Sequence, residues 1–102
     1  MILESVTVTS LNSKVIEGIL TLIPQAAAAL KENNTALFID ITNSIQTCAE
    51  HTYSSLQNEI KDHIFDVSWD VSLIEDDNQE KIASLADKWA VNISASCKRH
   101  LI

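Results

Sequence analysis

A chain of 102 residues with one glycine and one proline has little with which to mark turns. Gly18 and Pro24 both lie inside an apolar stretch of helical period, so the breaks have to come from Asn, Asp, Ser and Thr. Those residues cluster near positions 10–13, 33–34, 43–44, 62–63 and 75–78. The segments between them are short enough for single helices or strands. The length is that of one domain, 1–102, and at 46% hydrophobic residues the chain is too apolar to be disordered.

Between the first two breaks, Leu11, Val15, Ile19, Leu20, Ile23, Ala27 and Leu30 recur with the 3.6-residue period of an amphipathic helix. Pro24 sits in its interior and predicts a kink or a restart there. Residues 36–42, Ala-Leu-Phe-Ile-Asp-Ile-Thr, are short, aromatic and β-branched, and read as a buried strand. Ser44 is then placed to cap a helix over 45–61. In 65–73 the period changes: Phe65, Val67, Trp69, Val71 and Leu73 alternate with Asp66, Ser68, Asp70 and Ser72, the pattern of a strand with one wet face. Asp77 and Glu80 form a capping box for a last helix carrying Ile82, Leu85, Ala86 and Trp89. Val6 and Val8, alternating with Thr7 and Thr9, suggest a first strand.

This order predicts an α/β (or α+β) fold, a small single-layer sheet of three to four strands with helices packed on it. Its core would contain Ile19, Ile23, Leu37, Ile39, Ile41, Leu56, Ile60, Val67, Trp69, Val71, Leu85 and Trp89. The alternative is an all-α bundle in which residues 35–66 form one long helix, favoured by the shortage of glycine and by the alanines at 26–29. The alternation around Trp69 argues against it.

Fourteen acidic residues oppose seven basic ones, a net charge of −7. Nothing offers a positive surface to a phosphate backbone, which argues against nucleic acid and anionic membranes as partners and favours a basic protein. Two cysteines are too few for a disulfide framework, and Glu4 interrupts what would be a leader. No apolar run of about 20 residues stands out as a membrane span. The expected compartment is the cytoplasm.

Three groups of residues could carry chemistry. Asp40, Thr42 and Ser44, at the end of the expected strand, offer hard oxygen ligands at alternate positions. This spacing resembles the Asp-x-Ser-x-Ser metal-binding turn of von Willebrand factor A-type domains. Cys48 with His51 and Cys97 with His100 repeat a C-x-x-H spacing that could supply two halves of a zinc site. The expectation is nevertheless no metal or other cofactor, with both cysteines packed as small apolar residues. Cys48, expected in the first turn of a helix, could be an activated thiol with His51 as its base, but no orienting third group accompanies the pair.

The third group is acidic. Asp62, Asp66, Asp70, Glu75, Asp76 and Asp77 fall close together and form the expected partner-binding surface. Asp66, Ser68 and Asp70 also have the spacing of a calcium loop, but Val71 stands where that loop demands glycine.

The order of helix, Leu-Phe-Ile-Asp-Ile strand and helix is loosely similar to the regulatory domains of sulfate transporters and anti-sigma-factor antagonists, small cytosolic α/β binding modules. Asn43-Ser44-Ile45-Gln46 stands where that family has its phosphorylation turn. The expectation is a small acidic protein-binding regulator or inhibitor, in concrete form an immunity-type inhibitor of a basic partner, without enzymatic activity and able to form homo-oligomers. The alternative is a metal- or phosphate-binding domain using the Asp40 turn.

Overall fold

The computed structural model describes residues 2–75 and 78–101, with side chains from residue 12 onward. Four helices follow one another, α1 (Ile2–Lys31), α2 (Thr35–Ala49), α3 (Ser54–Ser72) and α4 (Gln79–Arg99), and no strand occurs among the described residues. The α/β expectation is overturned; the class is that of the all-α alternative, but its single helix over 35–66 is divided between α2 and α3.

The four helices bury residues at one spacing. In α1 the buried residues include Ile16, Ile19, Ile23, Ala26 and Leu30; in α2 they are Phe38, Thr42, Ile45 and Ala49. Helix α3 turns in Leu56, Ile60, Ile64 and Val67, and α4 turns in Ile82, Ala86, Trp89, Ile93 and Ser96, with Cys97 beside them. Steps of three and four residues place such positions along one seam of a helix, the geometry by which bundles interdigitate. Residues from all four helices meet in one apolar core.

Contacts between helices fix the topology. Helix α1 packs on α2 and α4, and α3 packs on α2 and α4. Glu59 reaches Arg99 and His100 while His63 reaches Ser96, so numbers rise along α3 as they fall along α4 and the pair is antiparallel. Phe38 meets Trp89 near the start of α2, and Tyr53, just beyond its end, meets His100, so α2 runs parallel to α4. Helix α1, folded back on α2 with Lys31 paired to Asp87, is antiparallel to both. The result is an up-down-up-down bundle. Its extents are 57 × 19 × 16 Å, because α1, about 45 Å long at 1.5 Å per residue, outruns the other three.

Turns form without glycine. Asn33 takes φ 60°, a left-handed conformation that asparagine tolerates, and lets the Asn33 and Asn34 amides close onto Leu30 and Ala29 carbonyls at 3.0 and 2.9 Å. Asn34 then caps α2 by accepting from the Leu37 amide at 3.2 Å. Asn78 caps α4 by accepting from Glu80 and Lys81. The expected caps were Ser44, which is inside α2, and Asp77, which lies outside the described residues. The break expected at 62–63 falls within α3, and the actual one, at 50–53, holds no Asn, Asp, Gly or Pro.

Both supposed strands within 36–73 are helical for the same reason. Neighbours two apart on a helix point about 200° apart, so a period-two apolar pattern puts apolar residues on opposite faces. In 65–73, Val67 turns inward and Val71 packs partly against the core, while Phe65, Trp69 and Leu73 face solvent. In 36–42, Phe38 and Thr42 turn inward and leave Leu37 and Ile39 exposed. The residues 6–9, expected as a strand, belong to α1. Of the expected core, Trp69, Leu37 and Ile39 are therefore outside it; Ile41, Val71 and Leu85 are half-buried. Helix α1 passes through Pro24 without restarting. Its segment Asn12–Lys31 is long and apolar enough to cross a membrane, contrary to expectation, and much of its apolar surface lines the bundle core.

Candidate functional site

The sequence-expected acidic residues that are described gather on α3. Asp62, Asp66 and Asp70 recur every four residues, and all three are exposed, forming one row along the helix. Glu75 is exposed in the connection that follows, while Asp76 and Asp77 lie outside the described residues. Among the described residues the ion pairs join Lys31 to Asp87 and Glu59 to Arg99 and His100; none involves the Asp62–Asp66–Asp70 row.

Alongside this row runs an apolar one, of whose members Trp69 is expected from the sequence to lie in the core. Phe65, Trp69 and Leu73 are 68%, 58% and 61% exposed, each four residues from the next. With the core line at Leu56, Ile60, Ile64 and Val67 taken as the inner face, Trp69 stands opposite it at 100° per residue, and the aspartates flank the apolar row on one side. The signal for this row was the alternation itself, legible as two opposed apolar faces once the segment is known to be helical.

Asp66 and Asp70 also edge a cleft of about 260 Å³ between α3 and α4, together with His63, Val67, Leu85, Lys88, Trp89 and Asn92. Trp89 is almost fully buried, and its indole Nε1 has no hydrogen-bond partner among the described residues.

A second polar cluster lies where the end of α4 meets the start of α3. Glu59 accepts from His100 Nε2 at 2.8 Å and from Arg99, and Arg99 also donates to Ser96 Oγ at 3.2 Å. Ser96 in turn lies 2.8 Å from His63 Nε2. A serine hydroxyl against an imidazole has the outline of a nucleophile and its base, but Ser96 is 1% exposed and its oxygen is already engaged by Arg99. Its place on the α4 seam makes it a packing residue whose hydroxyl is satisfied across the α3–α4 contact.

Glu59 carries a pH dependence. The His100 hydrogen bond and the Arg99 guanidinium hold its carboxyl below the usual carboxylate range, against the opposing effect of partial burial. A carboxyl whose folded pKa is depressed stabilises the fold above the unfolded value of about 4.3 and loses that contribution as pH falls through the folded one. Glu59→Gln is therefore expected to lower the urea midpoint near pH 7, by a difference that shrinks progressively as pH falls below the unfolded value of about 4.3. A difference that stays constant as pH falls would contradict this.

The remaining candidates are dispersed. Asp40, Thr42 and Ser44 form no turn: they lie inside α2, where Thr42 Oγ1 donates to the Ile39 carbonyl at 3.0 Å and Ser44 Oγ to the Asp40 carbonyl at 3.2 Å. Asp40 and Ser44 are exposed while Thr42 is buried, so the three oxygens do not face one point. Cys48 is in the last turn of α2, far from the helix N-terminus that would activate it. Cys97 is wholly buried, and burial together with Glu59 pushes its thiol up to about 11, which keeps it protonated. Both cysteines are free, and His100 is engaged with Glu59. No group of three or more His, Cys, Asp or Glu side chains suited to a metal occurs among the described residues.

No family model, curated protein or solved structure matches this chain.

Proposed function

We propose that this protein is a small acidic binding protein that regulates or inhibits a basic protein partner by docking it on α3. The observation that carries this reading is the row of Asp62, Asp66 and Asp70, exposed and without a basic partner among the described side chains. Glu75 continues the negative field beyond the helix. Like charges held side by side on a helix cost stability, and a partner of opposite charge relieves that cost. Complementary fields act mainly on encounter, speeding association and excluding partners of the wrong sign. An immunity-type inhibitor of a basic toxin is the concrete form of this reading.

The test is a double charge reversal, Asp66→Lys with Asp70→Lys, measured by surface plasmon resonance against the basic protein that co-purifies with the wild type. The expected result is an association rate at least tenfold lower, with a flatter dependence on salt and a much smaller change in dissociation. Both positions are exposed, so the fold should change in stability by no more than about 0.5 kcal/mol. An unchanged association rate would reduce the row to a solubilising surface.

A further inference from the structure

The charge row explains attraction but leaves the apolar row beside it without an occupant. We infer that Phe65, Trp69 and Leu73 seat an amphipathic basic α-helix of another protein, lying along the C-terminal half of α3 with its lysines or arginines over Asp62, Asp66 and Asp70. This deepens the binding reading by adding the partner's conformation and the residues that anchor it.

Three arguments select that occupant. An extended segment would leave its own amides and carbonyls unpaired on this face, because those of α3 are already committed within the helix. A helix brings its backbone satisfied and repeats its side chains every three or four residues, matching the rows on α3.

The second argument is area. At 150–250 Å² for an aromatic side chain, the exposed parts of Phe65, Trp69 and Leu73 amount to roughly 300–400 Å². That is the size of the functional patches found on monomers. It is about half of the ~800 Å² per partner in a standard stable interface, so it suits a single docked helix better than a permanent dimer.

The third is charge. If two copies met on this face about a perpendicular twofold axis, their helices would be antiparallel and like flanks would face each other. The Asp62–Asp66–Asp70 row would then oppose itself, between chains that each carry a net −7. A basic helix reverses the sign of that contact. Trp69, central in the row and opposite the core line, is the anchor, in keeping with the enrichment of tryptophan at the energetic centres of interfaces.

Three synthetic 18-residue peptides provide the probes: one with leucines on one helical face and lysines on its flanks, one of the same composition scrambled to remove the face, and one with glutamates replacing the lysines. Affinities come from titration calorimetry with wild type, Trp69→Ala and the Asp66→Lys, Asp70→Lys double variant. Acrylamide quenching of wild type and Trp69→Phe shows whether Trp69 becomes covered. The expected result is that the first peptide binds wild type and shields Trp69, and binds at least tenfold more weakly to either variant. The scrambled peptide should bind at least tenfold more weakly than the first, and the glutamate peptide should not bind.

Equal binding of the first and scrambled peptides would overturn the helical seat while leaving the charge-driven reading standing. Binding of the first peptide that ignores the aspartates, with the glutamate peptide binding as well, would instead defeat the charge-driven reading. No binding of the first peptide at all, or a dimer in analytical ultracentrifugation that Trp69→Ala dissolves, would overturn the inference; the dimer would assign the face to a second copy. Circular dichroism of Trp69→Ala should match wild type, since the residue lies outside the core.

Discussion

Trp89→Ala is expected to destabilise the bundle by about 3–5 kcal/mol, the usual cost of removing a large aromatic side chain from a core. Total stabilities of domains lie near 5–15 kcal/mol, so the loss is roughly a third or more of the total for all but the most stable of them. Trp89 occupies a seam position of α4, is 4% exposed and meets the ring of Phe38 on α2 edge to face at 5.5 Å. It also floors the cleft against Val67 and His63 of α3, so its removal loosens packing among three helices at once. Urea unfolding followed by circular dichroism measures the loss. Trp89→Phe separates volume from polarity: the indole nitrogen has no partner among the described residues, so replacement by phenylalanine keeps most of the packing and should cost clearly less than alanine. Trp69→Ala, the same truncation on the outer face of α3, should fall within about 0.5 kcal/mol of wild type. Equal losses at the two tryptophans would contradict the assignment of one to the core and the other to the surface.

The largest expected gain is at Pro24. An interior proline deletes one helical hydrogen bond, here the one that would reach the Leu20 carbonyl, and sets its ring against that carbonyl, at a cost of about 3 kcal/mol in an otherwise regular helix. Pro24 is exposed, so alanine can restore the bond without disturbing the core. Part of the gain is lost because proline also restricts the unfolded chain, by about 0.4–1 kcal/mol. A net stabilisation of about 2–2.6 kcal/mol is expected, which for a domain of this size raises the melting temperature by roughly 8–20 °C. Differential scanning calorimetry of Pro24→Ala reads it directly. A lower melting temperature would show that the proline ring favours the packed conformation of α1 more than the lost hydrogen bond opposes it.

The parts of the fold legible in the sequence were those whose periodicity admits one interpretation. Residues 11–32 have a single apolar face, and both the helix and its buried Ile19 and Ile23 follow from it. The same holds for Ile82, Ala86 and Trp89 at the other end, and the asparagines at 33–34 mark a real turn because they can take the backbone geometry it requires. Helix α2 was misread because Leu37 and Ile39 add exposed apolar residues on either side of Phe38, and an all-apolar run looks the same in a buried strand. Helix α3 was misread because its apolar residues serve two opposed surfaces. What did survive in the pattern was the seam, with Phe38, Thr42, Ile45 and Ala49 stepping by four, three and four, although Thr42 and Ser96 interrupt its apolar character. The acidic row was visible from composition and spacing alone. The apolar row beside it was hidden by a fold assignment that required Trp69 to be inside.

The order in which the helices neighbour one another also shapes the route to the folded state. Three of the four packed pairs, α1 with α2, α2 with α3 and α3 with α4, join segments separated only by short connections, whereas α1 with α4 joins the two ends of the chain. Local pairings form fast because closing a short loop sacrifices little entropy, and distant ones wait for the intervening chain to order. The α3–α4 hairpin, residues 54–99, can therefore assemble without help from α1, while closure of the α1–α4 seam is the late, long-range event. Core changes in α1 that face α4 should chiefly hasten unfolding, and those between α3 and α4 should chiefly slow folding.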